Sequence, residues 1–414
     1  MEGLQAYIPE EMLVNIFLRL EVDSLMRIRC VCKSWYRIVS SSSFIKSNIS
    51  RNTNKLLYTF FTHDRSYSLV GRMGSGDNKK YYYTPEQFGI NVRKHHYGLK
   101  VYGTCNGLLC VSHVNLGVDS IVYLLNPMIR RAKNIGKIPI EVQEPKGNLC
   151  LGYYDGDYKV IKIVRGCGNY RVGVYSLSTN SWKILSCDSN NFSSDSFCGY
   201  VSSKCVNGVA YFLKYRAGIV CFDLYDETIR EIRFPEKFNP AWWPWTSFSL
   251  EECGESVALM EISSDGHLVK WGLRSCGGSE SSWEKECTIA LEADPHQIHL
   301  IGLTYNGKYI LRFARADLFP PPNFRGWNDF YLCDLRKSEL KKCSLPQDVQ
   351  AIDYLVGNLV LLNEQTLYPL VDSEATCTET TLVLCKRRPP EKKKKISRKG
   401  QNGMQGRTKR KLEG

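Results

Sequence analysis

His296 and His299 stand at a spacing that suits a metal ion, because imidazoles three residues apart can be turned to one ligand. A metal site needs more ligands than two, and no others converge on them in the sequence. A turn or surface role is the expectation, with no metal and no cofactor. Gly166-Cys167-Gly168 would begin a phosphate-cradling loop, but a third glycine and a following helix are missing. Gly74-Ser75-Gly76 would display a nucleophilic serine only if glycine stood in place of Met73. Seventeen cysteines invite a disulfide or zinc reading, yet no Cys-x-x-Cys pair occurs, and one residue separates Cys30 from Cys32. The opening Met1-Glu2-Gly3 lacks the basic-then-apolar layout of a secretory leader, so free thiols in a reducing compartment are expected. Asn191-Phe192-Ser193 matches a glycosylation acceptor that would then have no route to use it. These residues point away from catalysis.

Residues suited to binding are better grouped. Trp242, Trp243 and Trp245 lie in Pro240–Trp245, a segment with two prolines that holds three of the eight tryptophans. Phe319, Phe324, Arg325 and Trp327 lie in the proline-rich stretch Asp317–Trp327. Trp, Phe and Arg on stiff backbone bury much area at low entropic cost, which suits a protein interface. The competing reading is that these aromatics plug gaps between packed elements.

The elements that would carry them follow from composition and pattern. The 414 residues are 43% hydrophobic, enough for a large core and a second small domain. No apolar run approaches the roughly 18 residues of a membrane span. The net charge of +13 is uneven: residues 386–414 hold thirteen Lys or Arg against two Glu, a balance of +11, which leaves +2 for the rest. The main body therefore has no general bias toward nucleic acid. Lys386, Arg387, Arg388, Lys392, Lys393, Lys394, Lys395, Lys409, Arg410 and Lys411 form spaced clusters in a tail that cannot bury a core. The tail is expected to be disordered, a candidate nuclear-import signal or a loose handle for nucleic acid or acidic lipid.

The first fifty residues read as three short helices. Pro9 suits a first helical position, and Glu10 and Glu11 suit the positive end of the helix dipole. Met12, Leu13, Ile16, Phe17 and Leu20 recur at helical spacing as one broad apolar face. Asp23 is the expected N-cap of a second helix carrying Leu25, Ile28 and Val31. A third, with Trp35, Ile38 and Val39, is expected to end in the serine run 40–43. So few residues cannot bury this much apolar surface alone, so they pack on the remaining chain or dock a partner.

Ile8-Pro9-Glu10-Glu11, Phe17-Leu18-Arg19-Leu20, Ser24-Leu25 and Arg29–Trp35 together resemble the plant-type F-box, with Ile8 where Leu is common and Glu21 where Pro is common. The resemblance implies binding to a Skp-type adaptor of a cullin–RING ligase. The positions it carries over are Ile8, Pro9, Leu13, Ile16, Leu20, Leu25, Val31, Cys32 and Trp35.

From about Thr104 the texture becomes short apolar runs broken by Gly, Asn and Asp, an all-β pattern. Asn106-Gly107, Asn207-Gly208 and Asn306-Gly307 each precede such a run and signal tight hairpin turns. Strand starts near Thr104, Leu149, Lys204, Phe248, Leu300 and Ile352 are 45, 55, 44, 52 and 52 residues apart, the period of propeller blades. A second regularity places an apolar or small residue six positions after a strand end, as in Ser176 to Trp182, Asp223 to Ile229, Asp334 to Leu340 and Asn126 to Ala132. That is an outer hairpin of fixed length. The fourth unit breaks it, with residues 275–282 between Trp271 and Trp283. Six blades are expected, with residues 56–61 and 68–71 closing the ring from the N-terminal side.

Cys105–Cys110, Leu125-Asn126-Pro127, Leu151-Gly152-Tyr153, Tyr158-Lys159-Val160, Asn207-Gly208-Val209, Phe222-Asp223-Leu224 and Ser282-Trp283 resemble the plant F-box-associated domain. This family is similar to kelch propellers and is taken to recruit targets. The expected architecture is α+β and multidomain: three F-box helices in 1–48, a connector with ring-closing strands in 49–100, a six-bladed kelch-like propeller in 101–385 and a basic tail in 386–414. The expected function is that of a non-catalytic, target-recruiting subunit of a Skp–cullin–F-box ubiquitin ligase, in nucleus or cytoplasm. Its protein target is not identified by these residues. The rival classes are an enzyme with ionisable groups converging in the propeller channel, and a partner-binding protein that delivers nothing for degradation.

Overall fold

The computed structural model describes residues 8–49, 54–60, 70–73, 80–83, 88, 90, 99–113, 120–127, 129–140, 149–165, 169–188, 200–214, 218–239, 248–274, 282–303, 308–314, 328–343, 349–356 and 359–360. All of them belong to a compact unit, Met1–Pro369. None of their helices is long and apolar enough to cross a membrane.

Four helices come first: α1 (Glu10–Phe17), α2 (Val22–Ile28), α3 (Lys33–Val39) and α4 (Ser42–Ile49). Pro9 sits one position earlier than expected, as the N-cap, with extended backbone (φ −57, ψ 145). Its carbonyl accepts from the N–H groups of Met12 at 3.0 Å and Leu13 at 3.1 Å. α2 also begins earlier, with Glu21 at the N-cap in place of Asp23. The serine run both ends α3 and starts α4, which the sequence pattern concealed. Ser41 donates its hydroxyl hydrogen to Ile38 O (2.8 Å), and its oxygen accepts from the Phe44 N–H (3.2 Å).

Among the described residues the regular structure that follows is strand, apart from a 3-10 turn at Pro295–Gln297. β1 (Asn54–Phe60), β2 (Val70–Met73) and β3 (Lys80–Tyr83) lead. β4 (Leu99–Cys105), β5 (Leu108–His113), β6 (Ile121–Asn126) and β7 (Arg131–Lys137) form the first four-stranded sheet. β8 (Leu149–Tyr154), β9 (Asp157–Arg165), β10 (Asn169–Ser176) and β11 (Ser181–Asp188) form the second. The third is β12 (Tyr200–Val206), β13 (Val209–Lys214), β14 (Gly218–Asp223) and β15 (Ile229–Ile232). The fourth is β16 (Phe248–Cys253), β17 (Ser256–Ile262), β18 (His267–Leu273) and β19 (Trp283–Ala290). Last come β20 (Ile298–Leu303), β21 (Tyr309–Ala314), β22 (Asn328–Asp334), β23 (Glu339–Cys343) and β24 (Val349–Val356).

The innermost strands lie side by side in the order β4, β8, β12, β16, β20, β24 and back to β4, which makes the fold a closed β-propeller. Hydrogen bonding divides it into five sheets, where six separate blades were expected. The cause is a parallel bridge between Gly302 and Ile352, which joins β20–β23 to β24-β1-β2-β3 as one eight-stranded sheet. β1 runs antiparallel to β24 from Asn54↔Val356 to Phe60↔Val349, so strands from before and after the other sheets share this one.

Local chemistry explains the hairpins. Asn106 and Gly107 (φ 44 and 85), and Asn207 and Gly208 (φ 47 and 78), hold the paired positive φ values of tight turns. At Gly208 a Cβ would lie 2.5 Å from the Tyr154 ring, so glycine is required there twice over. The fixed outer hairpins appear as the pairs Tyr175↔Trp182, Phe222↔Ile229, Cys333↔Leu340 and Leu125↔Ala132. Asp223 and Asp334 turn the chain by accepting backbone N–H groups two residues on, at 2.9 and 3.1 Å. The core lies between neighbouring sheets: Phe212 and Phe222 of the third pack on Ile161 and Val172 of the second.

Candidate functional site

The helical block divides its apolar residues between two sides. On the inner side Phe17, Leu18, Val22, Leu25, Ile38, Val39 and Phe44 form one cluster with Leu109, Val111, Leu125 and Ala132 of the first sheet and with Leu359. Each large side chain so buried contributes about 1.5–3 kcal/mol. The block is therefore seated on the propeller by its own core. Asn126 Nδ2 also donates to Val360 O at 2.8 Å, holding the segment that carries Leu359 beside the first sheet.

The outer side is open. Ile8 is 48%, Met12 57%, Ile16 47%, Val31 61% and Tyr36 47% exposed. Met12 and Ile16 lie four apart on α1 and share its open stripe, with Ile8 exposed just before the N-cap, while Leu13 and Phe17 belong to the inward stripe. The broad face read from the sequence is thus two stripes with opposite fates. Trp35 lies between them, half-buried, with its ring edge-on to Phe17 at 5.1 Å. The Arg29 guanidinium covers the Tyr36 ring at 4.8 Å, and Arg37 approaches Glu10 at 4.0 Å at the exposed rim.

Of the residues singled out in this block, Ile8, Pro9, Ile16, Val31 and Cys32 are exposed, and Leu13, Leu20 and Trp35 are half-buried. Leu25 is fully buried and has no surface to offer a partner; its place is in the core under the face. Met12, read as part of the apolar face but not as a partner contact, and Tyr36, not singled out, belong to the open side. The spacing of Met12 one turn before Ile16 was the available signal.

The two aromatic stretches lie outside the described residues: Trp242, Trp243 and Trp245 in 240–247, and Phe319, Phe324, Arg325 and Trp327 in 315–327. Their flanks are described. Asn239 donates its backbone N–H to Glu261 at 3.0 Å, Phe248 is buried, and Ala314 pairs with Asn328 across β21 and β22. The basic clusters Lys386–Arg388, Lys392–Lys395 and Lys409–Lys411 also lie outside, as does Asn306-Gly307. His296 is exposed, and its backbone N–H is held by Asp294 at 3.0 Å. His299 sits across from Arg312, and burial together with that charge pushes its imidazole down to about 4. Among the described residues no group of three or more His, Cys, Asp or Glu could hold a metal ion.

The arrangement is a rigid β-scaffold with an open apolar face at its helical end. A family model described as the F-box associated beta propeller domain matches residues 55–314, and one described as F-box-like matches residues 6–49. An F-box/kelch-repeat protein of Arabidopsis thaliana is 29% identical over 189 residues, covering 42% of this chain and 50% of that one. An F-box protein of the same plant is 25% identical over 277 residues, covering 63% of this chain and 61% of that one. Another is 26% identical over 319 residues, covering 69% and 73%. The chain thus spans only half to three-fifths of the first two relatives. The crystal structure of TolB from Acinetobacter baumannii aligns with a TM-score of 0.43 at 11% identity, over 78% of this chain and 73% of that one.

Proposed function

Since this chain belongs to the plant F-box proteins with an F-box associated β-propeller, we propose that it is the target-recognition subunit of a Skp–cullin–F-box ubiquitin ligase. The observation that carries the reading is the open stripe Met12 and Ile16, with Ile8, Val31 and Tyr36, on a block whose other side is already filled. Apolar groups held outward on a rigid base suit a protein partner, and the F-box match supports a Skp-type adaptor as that partner. Pro9, Leu13, Leu20, Cys32 and Trp35 would border the contact, with Leu25 supporting it from beneath.

The chain's role in this reading is proximity and not covalent chemistry. Holding a target on the propeller while the helices hold the ligase raises the target's effective concentration near the ubiquitin donor, to about the millimolar range for well-matched spans. The aromatic stretches 240–245 and 317–327 are the proposed target contacts, and the basic clusters of the tail a proposed nuclear-import signal, for a protein of nucleus, cytoplasm or both. The test is proximity labelling from the full chain with cullin neddylation blocked or active. Expected is a set of neighbours whose levels rise on blocking in cells carrying the wild-type chain, but not in cells carrying Ile16→Asp. Neighbours whose levels respond equally with either chain would refute the role.

A further inference from the structure

The face of the fourth sheet that meets the third is apolar at first: Leu259, Trp271 and Leu273 pack with Leu213, Ile219 and Ile232. Beyond Trp271 the packing gives way to a pocket of 310 Å³. Its apolar wall is Val269 and Trp271, while Lys237 and Asn239 reach it from the segment leaving the third sheet. That volume is at the lower end for small-ligand sites.

The charges lining the pocket are not equally available. Glu261 is 1% exposed, and both of its oxygens are engaged, by the Asn239 N–H at 3.0 Å and by Trp271 Nε1 at 2.8 Å. Burial pushes its carboxyl upward despite those donors. Asp265 is engaged by Ser263 and by His267 Nδ1 at 3.2 Å, and Asn239 Nδ2 donates to Ser264 Oγ at 2.7 Å. Both carboxylates therefore already hold donors, with Asp265 still open to solvent. Lys237, Lys285 and Thr288 line the same space, and Lys285, whose charge acts on Glu261, forms no salt bridge among the described residues. Lys285 lies 5.7 Å from the centre of the Trp271 ring, so a cation and an aromatic wall come together.

We propose that this pocket binds a carboxylate carried on an apolar or aromatic stem, with Lys237, Lys285 and Thr288 receiving the carboxylate and Val269 and Trp271 the stem. The ligand is either an acidic side chain of a bound protein or a free organic acid. Neither adaptor nor ligase enters this assignment, so it stands or falls apart from the ligase role.

The purified full chain is titrated calorimetrically with 3-phenylpropionate, with its uncharged amide, and with a short acetylated peptide containing Phe-Glu or Phe-Gln. Expected is binding of the acid, the Glu peptide or both, at least tenfold tighter than the matching amide or Gln probe. Lys237→Met and Lys285→Met, which keep the side-chain stems, should each weaken that binding tenfold or more without moving the unfolding midpoint. Binding by the peptide alone identifies a protein side chain as the source, and binding by the acid alone a free organic acid. Equal binding of charged and uncharged probes, unchanged affinity in both lysine variants, or no binding by any probe would overturn the assignment.

Discussion

The helical block and the propeller treat apolar residues differently. In the propeller, strand side chains such as Phe212, Phe222 and Leu250 find partners on the next sheet and are fully buried. In α1, Phe17 is 2% exposed one position after Ile16, which is 47% exposed. The repeating sheets supply each other's partners, but a short helix on the rim has a single sheet to pack on. Its second stripe stays open, and that incompleteness separates a docking element from a scaffold.

The largest effect that would sharpen this contrast is expected at a residue between sheets. Phe212→Ala should cost about 3–5 kcal/mol in urea unfolding, since both flanking sheets lose contact. Leu25→Ala should follow at about 2–5 kcal/mol, which would show that the helical block shares the propeller's core. If Leu25→Ala left unfolding unchanged, the block would not be seated as described.

A middle-sized effect belongs to the scaffold alone. Asp157 is buried and accepts from Ser176, from Ser178 Oγ at 2.8 Å, from the Ser178 N–H at 2.9 Å and from Lys159 Nζ at 2.9 Å. Burial pushes its carboxyl up, but these bonds outweigh burial and hold it below the usual value. A lowered folded pKa stabilises above the unfolded value and loses that contribution as pH falls through the folded one. Asp157→Asn should therefore cost about 1–3 kcal/mol near neutrality, with the gap from wild type narrowing in acid as unfolding is followed against pH. The smallest effect is expected at the rim, where Arg37→Ala should change stability by less than about 0.5 kcal/mol because its ion pair with Glu10 is long and exposed.

Much of this contrast was legible in local sequence. Asn-Gly turns and the six-residue outer hairpins report chemistry that acts within a few residues, and α1 shows its period plainly. Other features depend on distant partners. Periodicity identifies Leu25 and Ile16 as apolar, but only Leu109, Val111 and Leu125 decide which stripe is covered. The fusion of two four-stranded groups rests on Gly302 meeting Ile352, and the polar pocket joins Lys237, Glu261 and Lys285 from three separate elements. α4 was hidden because Ser41 serves as stop and cap at once.

The open stripe is tested most directly by titrating a purified Skp-type adaptor into the full chain, wild type and Val31→Asp, while following the unfolding of each. A charge on a side chain 61% exposed should leave the unfolding midpoint in place and weaken adaptor binding at least tenfold. Undiminished affinity in a folded Val31→Asp chain would contradict the account, because the adaptor would then be held somewhere other than this face.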